Sequence, residues 1–381
     1  MPWDTRDTMS LRREFILLAM HEGANRRELC RRFGISPKTA YKWLARHAQD
    51  SEHLQDRSRR PLHSPTRTAP GLEAAVLALR RQHPAWGGRK ISKRLEKLGC
   101  AEAPAPSTVT SILHRHGLIS EAASLQATAW RRFEHAHPNE LWQIDFKGNF
   151  PTPAGLCFPL TMIDDHSRFN LVLAACAQTD TQSVQLKLTE TFRRYGLPVR
   201  INADNGAPWG SPSEREHGIT RLTVWLIRLG IRISHSALAH PQTNGKDERF
   251  HRSLKAEVLN GRSFPDLEQV QRAFDDWRHV YNEQRPHEAL DFATPIERYQ
   301  PSSRTFPAHL PSIEYGPDDI VVEVGWNGRV LFKGRTLKVS SALHRLPIAF
   351  RSDPGKDGEY DVYFCHKRVM RLNLRDFDSI A

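Results

Sequence analysis

The sequence predicts a multidomain chain with two all-α modules at the N-terminus, a mixed α/β core and a small all-β barrel at the C-terminus. Three observations carry this. Apolar residues recur at helical spacing in two clusters before residue 120. Strand-like and helical stretches then interleave between about residues 138 and 300. Short alternating runs broken by turn signals fill the chain after about residue 313.

In the first cluster, Leu11, Phe15, Leu18 and Ala19 mark one helix, and Leu29 and Phe33 mark a second. Gly34 makes a turn, Ser36 is the N-cap candidate with Pro37 at the first helical position, and Ala40, Trp43 and Leu44 stripe a third helix. Helix, helix, turn, helix resembles a helix-turn-helix domain over residues 1–48. It leaves Lys38, Thr39, Tyr41, Lys42 and Arg46 on the third helix as candidate DNA contacts. Residues 49–70 have no apolar period. Their Arg57, Arg59 and Arg60, stiffened by Pro61, Pro65 and Pro70, suit a narrow minor groove or a solvated tether.

A second module, also expected to be a helix-turn-helix domain, spans residues 71–120. Leu72, Val76 and Leu79 mark its first helix, Ile91, Leu95 and Leu98 its second, and Val109, Ile112 and Leu113 a third with Ser107 as its expected cap. Arg89, Lys90 and Lys93 give its second helix a cationic side, which fits either DNA contact or a structural spacer. After a linker at 121–137, the core at 138–300 reads as strands Leu141 to Phe146, Cys157 to Ile163 and Phe169 to Ala177, helix Val184 to Tyr195 and strand Val199 to Ala203. Helix Arg221 to Leu229, strand Ile231 to Ser234 and a helix from Asn244 to Leu259 complete it. Residues 301–381 form the expected barrel, with runs at Arg329 to Phe332, Thr336 to Val339 and Tyr360 to Phe364.

The charge is unevenly placed. The whole chain carries +12, and residues 1–137 hold 24 Lys and Arg against 13 Asp and Glu. This asymmetry suits an N-terminal third that meets a polyanion or one that is merely a soluble basic surface, while the remainder is nearly neutral. Five scattered cysteines lack any Cys-x-x-Cys pair, so neither a disulfide framework nor a thiolate zinc site is expected, and a reducing cytoplasm fits. No apolar run reaches membrane-spanning length, so no membrane partner is expected.

Three acids suit metal-assisted phosphodiester chemistry, which needs carboxylate oxygens converging from different elements on hard divalent cations. Asp145 lies in the first core strand, Asp204 at the end of Val199 to Ala203, and Glu248 in the first turns of the helix opened by Gln242, Thr243, Asn244 and Gly245. Glu248, Arg252 and Lys255 share one helix face, and Phe250, Leu254 and Val258 the core face; taken alone, Glu248 and Arg252 also fit an ordinary surface ion pair.

Longer strings alter that balance. Trp142-Gln143-Ile144-Asp145, Asp204-Asn205-Gly206, His240 through Phe250 and Tyr281 through His287 resemble the DDE transposases of bacterial insertion sequences, whose core is shared with retroviral integrases. The resemblance covers about residues 10–300. It implies a ribonuclease-H-like core in which Asp145, Asp204 and Glu248 hold two Mg2+ or Mn2+ ions per active site, with Lys255 contacting the transposon end and Asn205, Gln242 and Asn244 as supporting polar contacts; the shared helix face adds Arg252 as a candidate phosphate contact. It also implies double-stranded DNA as partner, both terminal inverted repeats and target, and self-association into a dimer or larger synaptic complex. Asp164 and Asp165, a competing acidic pair, and the Arg285 to His287 segment are expected to be structural. The 43 residues between Asp204 and Glu248 exceed the spacing in many relatives, which places extra chain in the loop from Trp209 to Gly218. A DNA-binding regulator that no longer cuts and a structure-specific nuclease on the same core are the rival readings; the presence of all three acids argues against the first, and a need for inverted-repeat ends with joining after cutting separates the second.

Overall fold

A computed structural model describes residues 7–49, 54–56, 68–119, 134–210, 218–235, 245–352, 355 and 358–375. The chain divides into two compact units, residues 1–67 and 68–381.

The first unit holds helices α1 (Thr8–Met20), α2 (Arg26–Arg32) and α3 (Pro37–Gln49), each packed on the other two. Phe15, Ile16, Ala19, Cys30, Ala40 and Trp43 form its core. The Ser36 hydroxyl caps α3 by accepting from the Thr39 amide at 3.2 Å, as its position before Pro37 predicts.

The second unit begins with α4 (Pro70–Gln82), α5 (Gly88–Lys97) and α6 (Pro106–Arg115) around Val76, Trp86, Ile91, Leu95 and Val109. Two helix ends differ from expectation. Helix α6 starts on Ala105 and Pro106, and the Ser107 carbonyl instead accepts from Ser111; Leu98 lies outside the core, 58% exposed. Gly88 has no room for a side chain, since a Cβ there would meet Thr110 Oγ1 at 2.3 Å and the Pro106 carbonyl at 2.6 Å. Glycine is what lets α5 and α6 cross this closely.

The core is a six-stranded sheet of β1 (Leu141–Phe146), β2 (Phe150–Thr152), β3 (Gly155–Asp164), β4 (Asn170–Cys176), β5 (Arg200–Ala203) and β6 (Arg232–His235). The order is β2-β3-β1-β5-β6, with β4 also paired to β3. Strands β1 to β4 pair antiparallel, whereas β1-β5 and β5-β6 are parallel. One face packs on α7 (Thr181–Tyr195) and α8 (Arg221–Arg228) through Trp142, Ile144, Leu188, Phe192 and Leu226. The other packs on α9 (Gly245–Leu254) and α10 (Leu267–His279) through Ile163, Leu173, Phe250, Leu254 and Phe274. The β2 hairpin and α10 have no counterpart in the expected element order. The pattern of α10 is nonetheless amphipathic, with Val270, Ala273, Phe274 and Trp277 buried at helical spacing.

Helices α9 and α10 each end in a π-helical turn, Lys255–Leu259 and Val280–Gln284. These turns are pinned together, because Arg285 donates to Glu257 at 2.9 and 3.1 Å and to Ser253, while Glu257 also accepts from Trp277 Nε1. Asn282 closes the other side by exchanging two hydrogen bonds with the Asn170 backbone. The Tyr281 to His287 string therefore has a structural role, consistent with the expectation for Arg285 to His287.

The expected C-terminal barrel requires correction. After α11 (Pro295–Arg298), β7 (Ile320–Glu323), β10 (Pro347–Ser352), β11 (Glu359–Phe364) and β12 (Lys367–Asn373) form an antiparallel sheet in the order β12-β11-β10-β7. Strands β8 (Arg329–Phe332) and β9 (Arg335–Lys338) form a separate hairpin. Among the described residues the strands do not close into a ring. The hairpin and sheet share a core of Val330, Phe332, Leu337, Phe350 and Val362, completed by Val224 and Ile227 of α8. That second face on α8 removes the need for closure, since the apolar side of the sheet is covered by the core domain. No helix among the described residues is long and apolar enough to cross a membrane.

Candidate active site

Strand β1 alternates by period two. Trp142 and Ile144 enter the α7–α8 core, and Gln143 and Asp145 take the opposite side. Strand β5 runs parallel to it, with Gln143 beside Asn202 as the last paired position. Asp145 and Asp204 each lie two residues further on, so the register brings these acids to one level of the sheet. The Asp204 carboxylate accepts from the Gly206 amide at 3.2 Å, and its carbonyl lies 2.8 Å from His235 Nδ1 on β6. Glu248 enters from a third element, α9, which packs on β1 and β3 and exposes Glu248 while burying Asp247.

The electrostatics follow from this placement. Burial pushes the Asp145 carboxyl up to about 6, and the negative charges of Asp204 and Glu248 push the same way, against one hydrogen bond from the Phe146 amide at 2.8 Å. Among the described residues, none of the three carboxylates forms an ion pair with Lys or Arg. Such a site favours any cation that can sit among these oxygens, and hard oxygen donors suit a magnesium-like ion.

Four further residues gather here. Asp247, 1% exposed, lies beside Asp145, and burial followed by the Asp145 charge raises its carboxyl well above the usual range. His251, one turn along, is pushed down to about 4 by burial and by Lys147. Ligand atoms of Asp145, Asp247 and His251 lie within 4.8 Å of one another. Thr161, the register partner of Asp145 on β3, contacts Asp247 at 3.3 Å and His251 at 2.8 Å. Lys147 is lowered by partial burial and by Lys255. The signal for Asp247 is visible in the sequence, since it stands three and seven residues before Phe250 and Leu254, on the buried face.

The competing pair is fixed in the scaffold. Asp164 accepts from the Asn139 and Ser167 amides at 2.7 Å. Asp165 binds Lys246, His135 and Gln143.

Families described as integrase core domain match residues 135–241 and 229–295, and the IS481 family transposase C-terminal domain matches residues 319–378. These matches give the chain an integrase core domain of the DDE transposase and integrase type. A helix-turn-helix domain family matches residues 11–61 of this chain and a homeodomain-like family residues 39–113. It is 28% identical over 160 residues to the 31.7 kDa protein of insertion element IS407 from Burkholderia multivorans, covering 42% of this chain and 55% of that protein. It is 25% identical over 248 residues to the 39.2 kDa protein of insertion element IS476 from Xanthomonas euvesicatoria, covering 61% and 66%. The chain thus spans about half to two thirds of the length of these curated relatives. A simian T-cell lymphotropic virus intasome aligns over 79% of this chain and 96% of that one, at 14% identity and a TM-score of 0.39.

The expected DNA contacts fall in varied settings. Lys38, Tyr41 and Lys42 are exposed on α3. The Thr39 hydroxyl is 2.9 Å from that of Ser36, and Arg46 lies over the Trp43 ring at 4.7 Å. Arg252 and Lys255 are exposed beyond Glu248, as is Asn205 beyond Asp204. On α5, Lys93 pairs with Glu96, Arg89 lies 3.5 Å from Glu288, and Lys90 sits in the seam between α5 and the core near Arg285, Glu257 and Glu288. Arg57, Arg59, Arg60, Gln242, Asn244 and most of the Trp209 to Gly218 loop lie outside the described residues.

Proposed function

We propose that this chain is a transposase that binds the terminal inverted repeats of its element and uses Asp145, Asp204 and Glu248 to cut DNA strands and join them to a target. The observation that carries this reading is the Asp145 carboxyl, raised toward 6 by its burial and by the charges of the other two acids. Three carboxylates that repel one another across β1, β5 and α9 suit a pair of Mg2+ or Mn2+ ions. Such ions supply Lewis-acid activation of a water or DNA 3′-hydroxyl and stabilise the leaving oxygen.

The chain's own residues do the rest. Asp145 on β1 and Asp204 just past the end of the adjacent β5 fix two carboxylates, and Glu248 brings the third from a helix. Arg252 and Lys255 follow on the same face of α9 and its terminal turn, and a phosphate backbone lying along that face leads one strand toward the acids. Lys38, Tyr41 and Lys42 on α3 engage the element end, with Arg57, Arg59 and Arg60 tracking the groove beside it. Two or more protomers bring two ends together, and the substrate is chromosomal DNA in the cytoplasm.

The test is direct. Purified full-length protein, given duplex oligonucleotides bearing the element's ends and Mg2+ or Mn2+, should nick one strand and join it to a second duplex. Retained cleavage by Asp145→Asn or Glu248→Gln overturns the assignment of those residues.

A further inference from the structure

We infer that Asp247 is a positioning residue that, through Thr161 and His251, holds the Glu248 turn against the Asp145 strand. The inference rests on the metal-holding role of Asp145 and Glu248 proposed above. Helix α9 begins at Gly245, and its first turn is tied down at two consecutive side chains. Lys246 reaches Asp165, and Asp247 reaches Thr161, with His251 completing a closed set. Glu248 comes next in the chain, so its place over the sheet is inherited from these anchors.

Thr161 is the hub. Its hydroxyl lies 3.0 Å from the Asp145 carbonyl, 3.3 Å from both Asp247 oxygens and 2.8 Å from His251 Nε2, and it is fully buried. It therefore joins the backbone of one proposed ligand to the helix that carries another. Packing gives no reason for an acid at position 247. The residue shares the buried face of α9 with Phe250 and Leu254, where an apolar side chain would fill the space without desolvating a carboxylate. An acid there serves hydrogen-bonded geometry, and groups that orient metal ligands in this way typically change metal affinity by about 10- to 100-fold when removed.

The experiment titrates Mn2+ into full-length, DNA-free protein and reads free ion by electron paramagnetic resonance, beside thermal melting and hydrogen exchange. Asp247→Leu should bind Mn2+ at least about tenfold more weakly while melting no lower than wild type. Asp247→Asn, which keeps an oxygen for Thr161, should stay within about threefold of wild type. Thr161→Val should weaken Mn2+ about tenfold and speed exchange of the 245–252 amides without metal. Wild-type affinity in Asp247→Leu overturns the inference, and so does equal loss in Asp247→Asn and Asp247→Leu, which makes Asp247 itself a ligand. If Asp247→Leu fails to fold, Thr161→Val decides alone. Wild-type protein that binds no Mn2+ overturns the metal reading beneath the inference, whereas unchanged exchange in Thr161→Val overturns the anchoring whatever the ion result.

Discussion

The seam between α5 and the core and the acidic edge of the sheet are both rich in charge, and they use it in opposite ways. In the seam, signs are matched. Lys97 meets Glu297 at 2.6 Å, Arg94 donates to Gln284 at 3.0 Å, and Arg285 and Glu257 are paired just beneath. At the edge, Asp145, Asp204, Asp247 and Glu248 are gathered with like signs together. A matched seam holds one helical module on the core, whereas a mismatched edge stores repulsion that a bound cation relieves.

The sharpest way to break the comparison is to unmatch the seam. Glu257→Ala should leave Arg285 buried without its partner and cost about 3–5 kcal/mol, read from urea unfolding. A loss below about 1 kcal/mol would mean that the pairing contributes little to the fold.

Unloading the edge should act in the other direction. Asp145→Asn is expected to abolish cleavage and yet stabilise the metal-free protein at pH 7 by about 1–3 kcal/mol. The sign follows from the raised carboxyl. The folded chain holds a proton that the unfolded chain releases between about pH 4 and 6, so wild-type stability falls as pH rises through that window. The gap between variant and wild type should close below about pH 4. For the same reason Mn2+ binding should weaken as pH falls from 7 to 5.

Lys90 offers a finer test within the seam. Burial and Arg285 lower its ammonium to about 7, so above that value the unfolded chain binds the extra proton and stability rises with pH. Lys90→Met should remove this rise between pH 6 and 9, a difference on the order of 1 kcal/mol in thermal or urea melts. The smallest effect is expected from Lys97→Ala, whose partner Glu297 is half exposed; the change should stay within about 1 kcal/mol and shrink in salt.

The helical periods of both N-terminal modules were legible, and so were the strands β1, β3, β4, β5 and β6, because each has a clear period and turn residues at its ends. The β2 hairpin was too short to show a period. Helix α10 lies outside the expected element order although Val270, Phe274 and Trp277 mark it plainly. Closure of the C-terminal strands is not legible in the sequence, since alternation fixes that a sheet has one apolar face and says nothing of what covers it. The cations of α5 were legible as charge, but their partners on Gln284, Glu288 and Glu297 stand about 200 residues away in the chain.

Local chemistry, carried in the order of residues, determined the helices, most strands, the family and the three acids in their flanking strings. Only tertiary structure decided which charges oppose and which match. Desolvation and Coulomb terms depend on distances through space, and the register of β1 on β5 and the docking of α9 set those distances.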